Sequence, residues 1–444
     1  MSSTGTELTR TTIGSVTNQY KWTYSFWIKR SALGTGATNS FIFDWYQSSA
    51  NRGGILFEND NTFKIYDRVS NSNALDRRTN RKFMDINGWY HIVIAHDRTV
   101  GSPLTKIYVN GVEETSFQSS TNPSQNGTSY FNTASQTERI GKYGNGNEYS
   151  QMIMSHVHFC DGYYYQASDF GETDSTTGEW KIKTSPSVTY GNNGYFILKD
   201  GNSLTDQSPN TNNFTVAGGT LTKTEDCPSN VFGTFNPLHI QSGRALTMSN
   251  GNGKIASNQN NWQPIGCTLA VPPKTGKWYW EFSQFIEAQT FIGIISSKCN
   301  ISINLPYDAT DGWISYFYAG RLTNDDTDTE NYFTAISSTT DVVGVALDMT
   351  AGTYGQVQFY LNGSATGSTV ALGSTFADQF VMPFAMCNGT GGRSVSLNTG
   401  NGYFGGTAVS SNSGNGYSAT GSLGIFQYQP PTGYTALCTK GLNL

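Results

Sequence analysis

Two carboxylates about 5 Å apart would let a chain hydrolyse glycosides with retention. On a strand, acidic residues at alternating positions meet that need by facing one groove. The nearest approach to such a pattern is Glu172-Thr173-Asp174, with Glu179 further on. Its neighbours are Thr, Ser and Gly, so it reads as a loop, and no catalytic pair is expected. His156 and His158 alternate on one predicted strand, but no third metal ligand stands near them in sequence. Asp325, Asp326, Asp328 and Glu330 crowd one loop. Calcium favours hard oxygens on a flexible loop, yet this spacing lacks the EF-hand glycine, so a solvated acidic loop is expected. No Gly-x-Ser-x-Gly elbow and no phosphate-binding loop occurs. The six cysteines form no Cys-x-x-Cys pair, which argues against zinc and for free thiols.

Binding chemistry has better candidates. Tyr163-Tyr164-Tyr165 follows the turn-like Asp161-Gly162. Consecutive strand residues point to opposite sides, so at least one of these rings is expected on the surface. There a tyrosine offers large contact area at low entropic cost. The candidate ligand-binding residues are therefore Tyr163, Tyr164, Tyr165, Asp325, Asp326 and Asp328, with no catalytic residue and no cofactor. Calcium stays open, without a ligand set.

The elements that must position these residues are strands. Trp22, Tyr24, Phe26 and Ile28 alternate along one strand, with Thr23, Ser25 and Lys29 on its other face. A further pattern occurs twice: an apolar strand, a short polar gap, and an alternating strand ending in Asn-Gly. The copies are Gly88–Ala95 with Lys106–Gly111, and Asp341–Asp348 with Gln356–Gly363. Asn-Gly suits a type I′ hairpin, whose central residues both need positive φ. No segment holds a sustained 3.6-residue apolar period, so helices should be few and short.

The fold class expected is all-β, with two antiparallel jelly-roll β-sandwiches in tandem. The first spans 1–222, a polar linker with Pro228 and Pro237 spans 223–262, and the second spans 263–402. A Gly/Ser-rich stretch and C-terminal tail fill 403–444. Over 444 residues only 13% are charged, the net charge is −5, and no basic run exists, so phosphate-driven nucleic-acid binding is not expected. No stretch approaches the ~20 apolar residues of a membrane span. The N-terminus lacks the parts of a signal peptide.

Three resemblances follow from these residues. Phe26–Arg30, Trp89-Tyr90-His91 and Ile107–Gly111 resemble laminin-G-like or concanavalin-A-like sandwiches. Gly276–Glu281, Val343–Asp348, Phe359–Gly363 and Val395–Gly400 resemble a SPRY domain. Both families are antiparallel sandwiches that mainly bind proteins or glycans, although concanavalin-like folds include hydrolases. For the first, the resemblance also implies a rim calcium site, whose ligands do not map here.

The third resemblance is narrower. Ser168–Glu172, Gly178-Glu179-Trp180, Tyr190-Gly191, Asn193-Gly194-Tyr195, Asp206–Phe214, Asp226–Asn230, Phe235–Leu238 and Pro430–Cys438 are similar to a run in bacteriophage tail proteins. Cys227 stands where Thr is expected. Together the resemblances imply a non-enzymatic virion-surface protein of the tail, a tail fibre or receptor-binding appendage that recognises host-surface glycan or protein. A capsid decoration or head fibre is the alternative, and a glycan-degrading enzyme a distant third. The implied partners are other virion proteins and a host-surface molecule, with no nucleic acid, no membrane insertion, and homo-oligomers. Recognition is expected in loops such as Ser116–Thr133 and Ala319–Phe333.

Overall fold

The computed structural model describes residues 5–34, 38–102, 104–199, 203–244, 246–286, 289–301, 311–325, 327–409 and 419–443. The chain divides into two compact units, residues 1–223 with 227–229, and residues 224–226 with 230–444. Both are β-sandwiches, and the α-helices among the described residues are the short Ala167–Phe170 and Thr439–Leu442.

The first unit packs an eight-stranded antiparallel sheet against a six-stranded one. In spatial order the larger sheet runs Phe117–Thr121, Ser72–Lys82, Thr62–Val69, Asn51–Phe57, Ser40–Ser48, Thr137–Ile140, Glu7–Thr11 and Thr215–Gly218. The smaller runs Tyr195–Ile197, Met152–Asp161, Lys21–Arg30, Trp89–Asp97, Leu104–Val109 and Val112–Glu113. Trp22, Tyr24, Phe26 and Ile28 point into the space between the sheets, against Phe43, Trp45, Ile55 and Ile65, as their alternation requires. The opposite face of that strand is buried too. The chain from Tyr163 to Phe196 folds over it, and Phe170, Tyr190 and Phe196 close a second core on Val93, Ala95 and Cys160.

A buried polar network holds this unit together. The Asp161 carboxylate accepts from the backbone N–H of Thr17 (2.6 Å), Asn18 (3.0 Å) and Asn193 (2.9 Å) and from Asn132 Nδ2 (2.7 Å). Arg10 donates to Asn193 Oδ1 at 3.1 Å and pairs with Glu138 at 2.7 Å, and Glu138 also accepts from the Tyr24 and Tyr195 hydroxyls. The Asp206–Phe214 run is structural. Asp206 accepts from Phe196 N and Ser208 N, while Asn210 and Asn212 Nδ2 both donate to Gly194 O.

Both Asn-Gly turns are two-residue hairpins with positive φ at each position: Asn110 48° and Gly111 82°, Asn362 51° and Gly363 81°. In each, the asparagine also clasps the start of an earlier strand. His91 N donates to Asn110 Oδ1 at 2.7 Å and Asn110 N to His91 O at 2.9 Å. Val342 N donates to Asn362 Oδ1 at 2.9 Å and Asn362 N to Val342 O at 2.8 Å.

In the second unit one 18-residue strand, Val381–Asn398, serves both layers. Its first half pairs with Thr290–Ser296 and its end with Lys277–Ser283. Trp280, Phe282, Val345, Phe359, Ile294 and Ile314 fill the core. Nearly half of the segment that reads as a linker is sheet. Leu246–Ser249 and Lys254–Cys267 form a hairpin through Asn250-Gly251-Asn252, all at positive φ, and Lys254–Cys267 pairs along Val381–Asn398. Its polarity comes from strands with one wet face. Pro237 fits because Phe235–Ile240 pairs with Lys254–Cys267 alone, as an edge. The C-terminal residues are also built in. Thr435-Ala436 pairs in parallel with Trp278-Tyr279, and Phe426 is fully buried against Tyr279.

Candidate functional site

The sequence candidates separate in space and in role. Tyr163, Tyr164 and Tyr165 are all half-buried on the outer side of the six-stranded sheet, where they pack on the second core. The rings of Tyr163 and Tyr165 stack at 6.0 Å. Thr23 Oγ1 donates to Tyr163 O and accepts from Tyr165 N, and the Tyr165 hydroxyl accepts from Thr189 N. These rings chiefly seat the covering segment. Of the three, Tyr163 alone borders an open cleft of about 650 Å³ with Val16, Val188, Asn192 and Pro209.

Asp325 is a turn residue at φ 47°, whose carboxylate accepts from Gly312 N (2.7 Å), Trp313 N (3.0 Å) and Thr375 Oγ1 (3.2 Å). Asp328 accepts from Thr323 Oγ1 and pairs with Arg321 at 2.9 Å, and Glu330 lies 3.6 Å from the same guanidinium. Asp326 lies outside the described residues. Among the described residues no cluster of three His, Cys, Asp or Glu side chains is arranged for a metal. The two expected recognition loops are partly sheet, containing Phe117–Thr121, Leu322–Asn324 and Thr327–Thr329.

The other chemical candidates are structural as well. Glu172 sits on a three-residue strand, Gly171–Thr173, rather than in a loop, and Lys181 ties it to Asp174 at 3.4 and 3.2 Å. A bulge separates Ser155 from His158, with His156 at φ 48°, so His156 and His158 do not simply alternate. The buried His158 ring stacks on Phe196 at 3.9 Å. Burial drives its pKa well below the ordinary range, so the ring is neutral.

The sequence reading missed a groove on the outer face of the eight-stranded sheet. Three rows of residues cross the strands there, fixed by register. Tyr46 lies opposite Arg52, which lies opposite Arg68. Asp44, Gly54, Tyr66 and Asp76 form the next row, and Phe41, Leu56 and Lys64 the third. Gly54 is required because the Tyr66 ring lies over it; a Cβ would stand 2.7 Å from that ring. The loop after Ile140 folds down onto this face. Tyr143 stacks on Phe41 at 4.7 Å and meets Tyr46 edge-on at 5.6 Å. Gly144 N donates to Asp44 Oδ2 at 2.8 Å, so close that a Cβ on Gly144 would clash with that oxygen.

The resulting space is about 340 Å³, within the range of small-ligand sites. Its floor is Phe41, Leu56 and Tyr66, its wall Tyr143 and Glu148, and its polar rim Asn39, Glu58, Lys64, Arg68 and Asn73. Arg52 stands 5.8 Å from the Tyr66 ring centre and 5.4 Å from that of Tyr143. Burial pushes the Asp44 carboxyl up to about 7. Burial, and then the nearby Glu58, also raise that of Glu148. The sequence signal was present as the outward set Lys64, Tyr66, Arg68 on one strand and Arg52, Gly54, Leu56 on its neighbour.

Aromatic rings with mixed donors and acceptors suit sugar rings in general. Residues 3–162 match the concanavalin A-like lectin/glucanases superfamily, and residues 277–402 match the SPRY domain family. The chain carries a concanavalin A-like domain followed by a SPRY domain. The first match contains every residue of the groove. The second omits the strand Lys254–Cys267 and the built-in C-terminus.

Among solved structures, the SPRY domain of human HERC1 is 17% identical, covering 37% of this chain and 96% of that chain at a TM-score of 0.30. A heptameric SAP-like pentraxin from Limulus polyphemus is 15% identical over 50% of this chain and 92% of that one, at 0.30. Domain 4 of the arabinanase AbnA from Geobacillus stearothermophilus, in complex with arabinotriose, is 18% identical over 33% of this chain and 64% of that one, at 0.25. No curated protein matches the chain.

Proposed function

We propose that this chain is a bacteriophage virion attachment protein, a tail fibre or receptor-binding appendage, whose concanavalin A-like domain binds host-surface glycan. The groove of about 340 Å³ over Phe41, Leu56 and Tyr66 carries the binding part of this reading. Tyr143, half-buried at the wall, offers ring surface to a sugar, while Asn39, Asn73, Glu58 and Glu148 offer hydrogen-bonding partners for its hydroxyls. The virion part rests on the similarity of the Ser168–Leu238 run to tail proteins. Glu172 and Asp174, the nearest approach to a catalytic pair in the sequence, share Lys181 in an ion-pair cluster. Host-surface glycan, other virion proteins and further copies of the chain are its partners, and repetition on a particle makes weak single sites effective.

The experiment is adsorption. Purified protein should coat host cells and block phage attachment, and antibody should label the tail of intact particles. Protein that binds no cells, with label confined to the head, would replace this reading with capsid decoration. Degradation of host polysaccharide would replace it with an enzyme.

A further inference from the structure

One end of the groove is electrostatically unbalanced. Arg52 and Arg68 stand directly opposite each other on adjacent strands. Like charges so placed repel. Several other cations on this sheet have carboxylates: Lys64 has Glu58 (3.4 Å) and Asp76 (3.3 Å), Arg78 has Asp60 (2.8 Å), and Arg139 has Glu7 (3.3 Å), while Arg77 bonds Ser120 and Asn122. Among the described residues neither Arg52 nor Arg68 makes an ion pair. Arg52 donates to the Tyr66 hydroxyl at 3.1 Å and Ser49 O at 3.0 Å. Arg68 donates to Asn71 Oδ1 at 3.4 Å, and its Nε is buried without an acceptor. The acidic groups whose field Arg52 feels, Asp44 and Glu148, pair with neither guanidinium.

Two arginines on one cross-strand row, both lining the groove, offer guanidinium N–H groups to a carboxylate or phosphate, which accepts such donors in pairs. The rings of Tyr66 and Tyr143 beside Arg52 continue the site into a surface for a sugar ring. We propose that the Arg52–Arg68 end of the groove holds the anionic group of an acidic saccharide, whose ring lies along Tyr66 and Tyr143. The inference rests on the reading of this domain as a glycan binder and names the class of glycan.

The test uses the full chain on an array of oligosaccharides bearing galacturonate, glucuronate, sialate or a sugar phosphate, each beside its neutral counterpart. Acidic members should bind on the order of tenfold tighter than their neutral partners. That advantage should shrink as salt rises. The carboxylate and phosphate members separate the two anion chemistries. Arg52→Gln with Arg68→Gln should abolish the preference. Arg68→Gln alone, which disturbs one weak hydrogen bond, should reduce it with the melting temperature unchanged. Equal binding of neutral and acidic members would overturn this inference while leaving the glycan-binding reading intact. Acidic preference that survives the double substitution would place the anion elsewhere and also overturn it. Binding to cells but to no saccharide would overturn both.

Discussion

Trp180 Nε1 donates to His91 Nδ1 across 2.9 Å, which leaves His91 Nε2 as the protonated nitrogen, donating to Ser25 Oγ at 2.9 Å. The indole lies within 2.5 Å of where a Cβ would stand on Gly111 and on Gly171. It thereby joins the hairpin turn, the six-stranded sheet and the covering segment. Trp180→Ala should destabilise the first domain by about 3 kcal/mol, through lost packing and an orphaned imidazole acceptor. Urea unfolding followed by tryptophan fluorescence of the first domain measures it. A change below about 1 kcal/mol would show that the cover is held elsewhere.

Buried histidines give this domain an acid limit. Burial holds His91 down at about 3 against an ordinary 6.5, and lowers His96 and His158 strongly as well. A histidine with a depressed folded pKa contributes stability that is fully present above about 6.5 and is lost as pH falls toward 3. Asp44, raised to about 7, has the opposite slope, and so do Asp67 and Glu148, whose carboxyls burial also raises. Below about 6.5 these slopes oppose one another in the melting temperature, so the histidine share is isolated by substitution. His91→Gln should cut the protons taken up on unfolding at pH 5 by about one, measured from the pH dependence of urea unfolding.

The buried pair Arg10–Glu138 should behave asymmetrically. At 2.7 Å, with both side chains almost wholly enclosed, neither charge is tolerable alone. Arg10→Met alone leaves Glu138 facing two tyrosine hydroxyls and no cation, and should cost about 3–5 kcal/mol. Adding Glu138→Leu to Arg10→Met should recover much of that, because the second charge goes too. A double variant less stable than the single one would show the pair to be worth more than its desolvation.

Strands and hairpins were legible because alternation and Asn-Gly are local signals, as Trp22–Ile28 and Asn362-Gly363 show. The groove was not legible, because its residues come from four strands and a loop, and only cross-strand register brings Arg52 to Arg68. Tyr163–Tyr165 took on a role that no local signal shows. Three aromatics after a turn suggested that at least one is exposed; all three are half-buried, because the chain beyond them covers the sheet and packs them against a second core, with Tyr163 at an open cleft. The segment 223–262 looked like a linker because Lys254–Cys267 mixes buried residues such as Ile255 and Ile265 with exposed polar ones. A strand wet on one face and rich in Asn and Gln has little apolar signal to offer.

Glu281 sets the opposite pH response in the SPRY domain. It is fully buried, and its carboxylate accepts from Gln427 N (2.9 Å), Tyr428 N (2.9 Å), Tyr279 OH (3.2 Å) and Asn398 Nδ2 (3.2 Å). Burial pushes it from 4.5 up to about 7, even though all four donors pull it down. A carboxyl with a raised folded pKa contributes stability that is fully present below 4.5 and is lost as pH rises through about 7. The C-terminal segment should therefore hold more tightly at pH 5 than at pH 8, read as slower amide exchange at Gln427 and Tyr428. Gln427 and Tyr428 donate to different oxygens, so Glu281→Gln must point its amide N–H₂ at one backbone N–H. That substitution should cost about 1–3 kcal/mol and remove the pH dependence. Exchange that keeps its full pH dependence in the Gln variant would show that another group governs the segment.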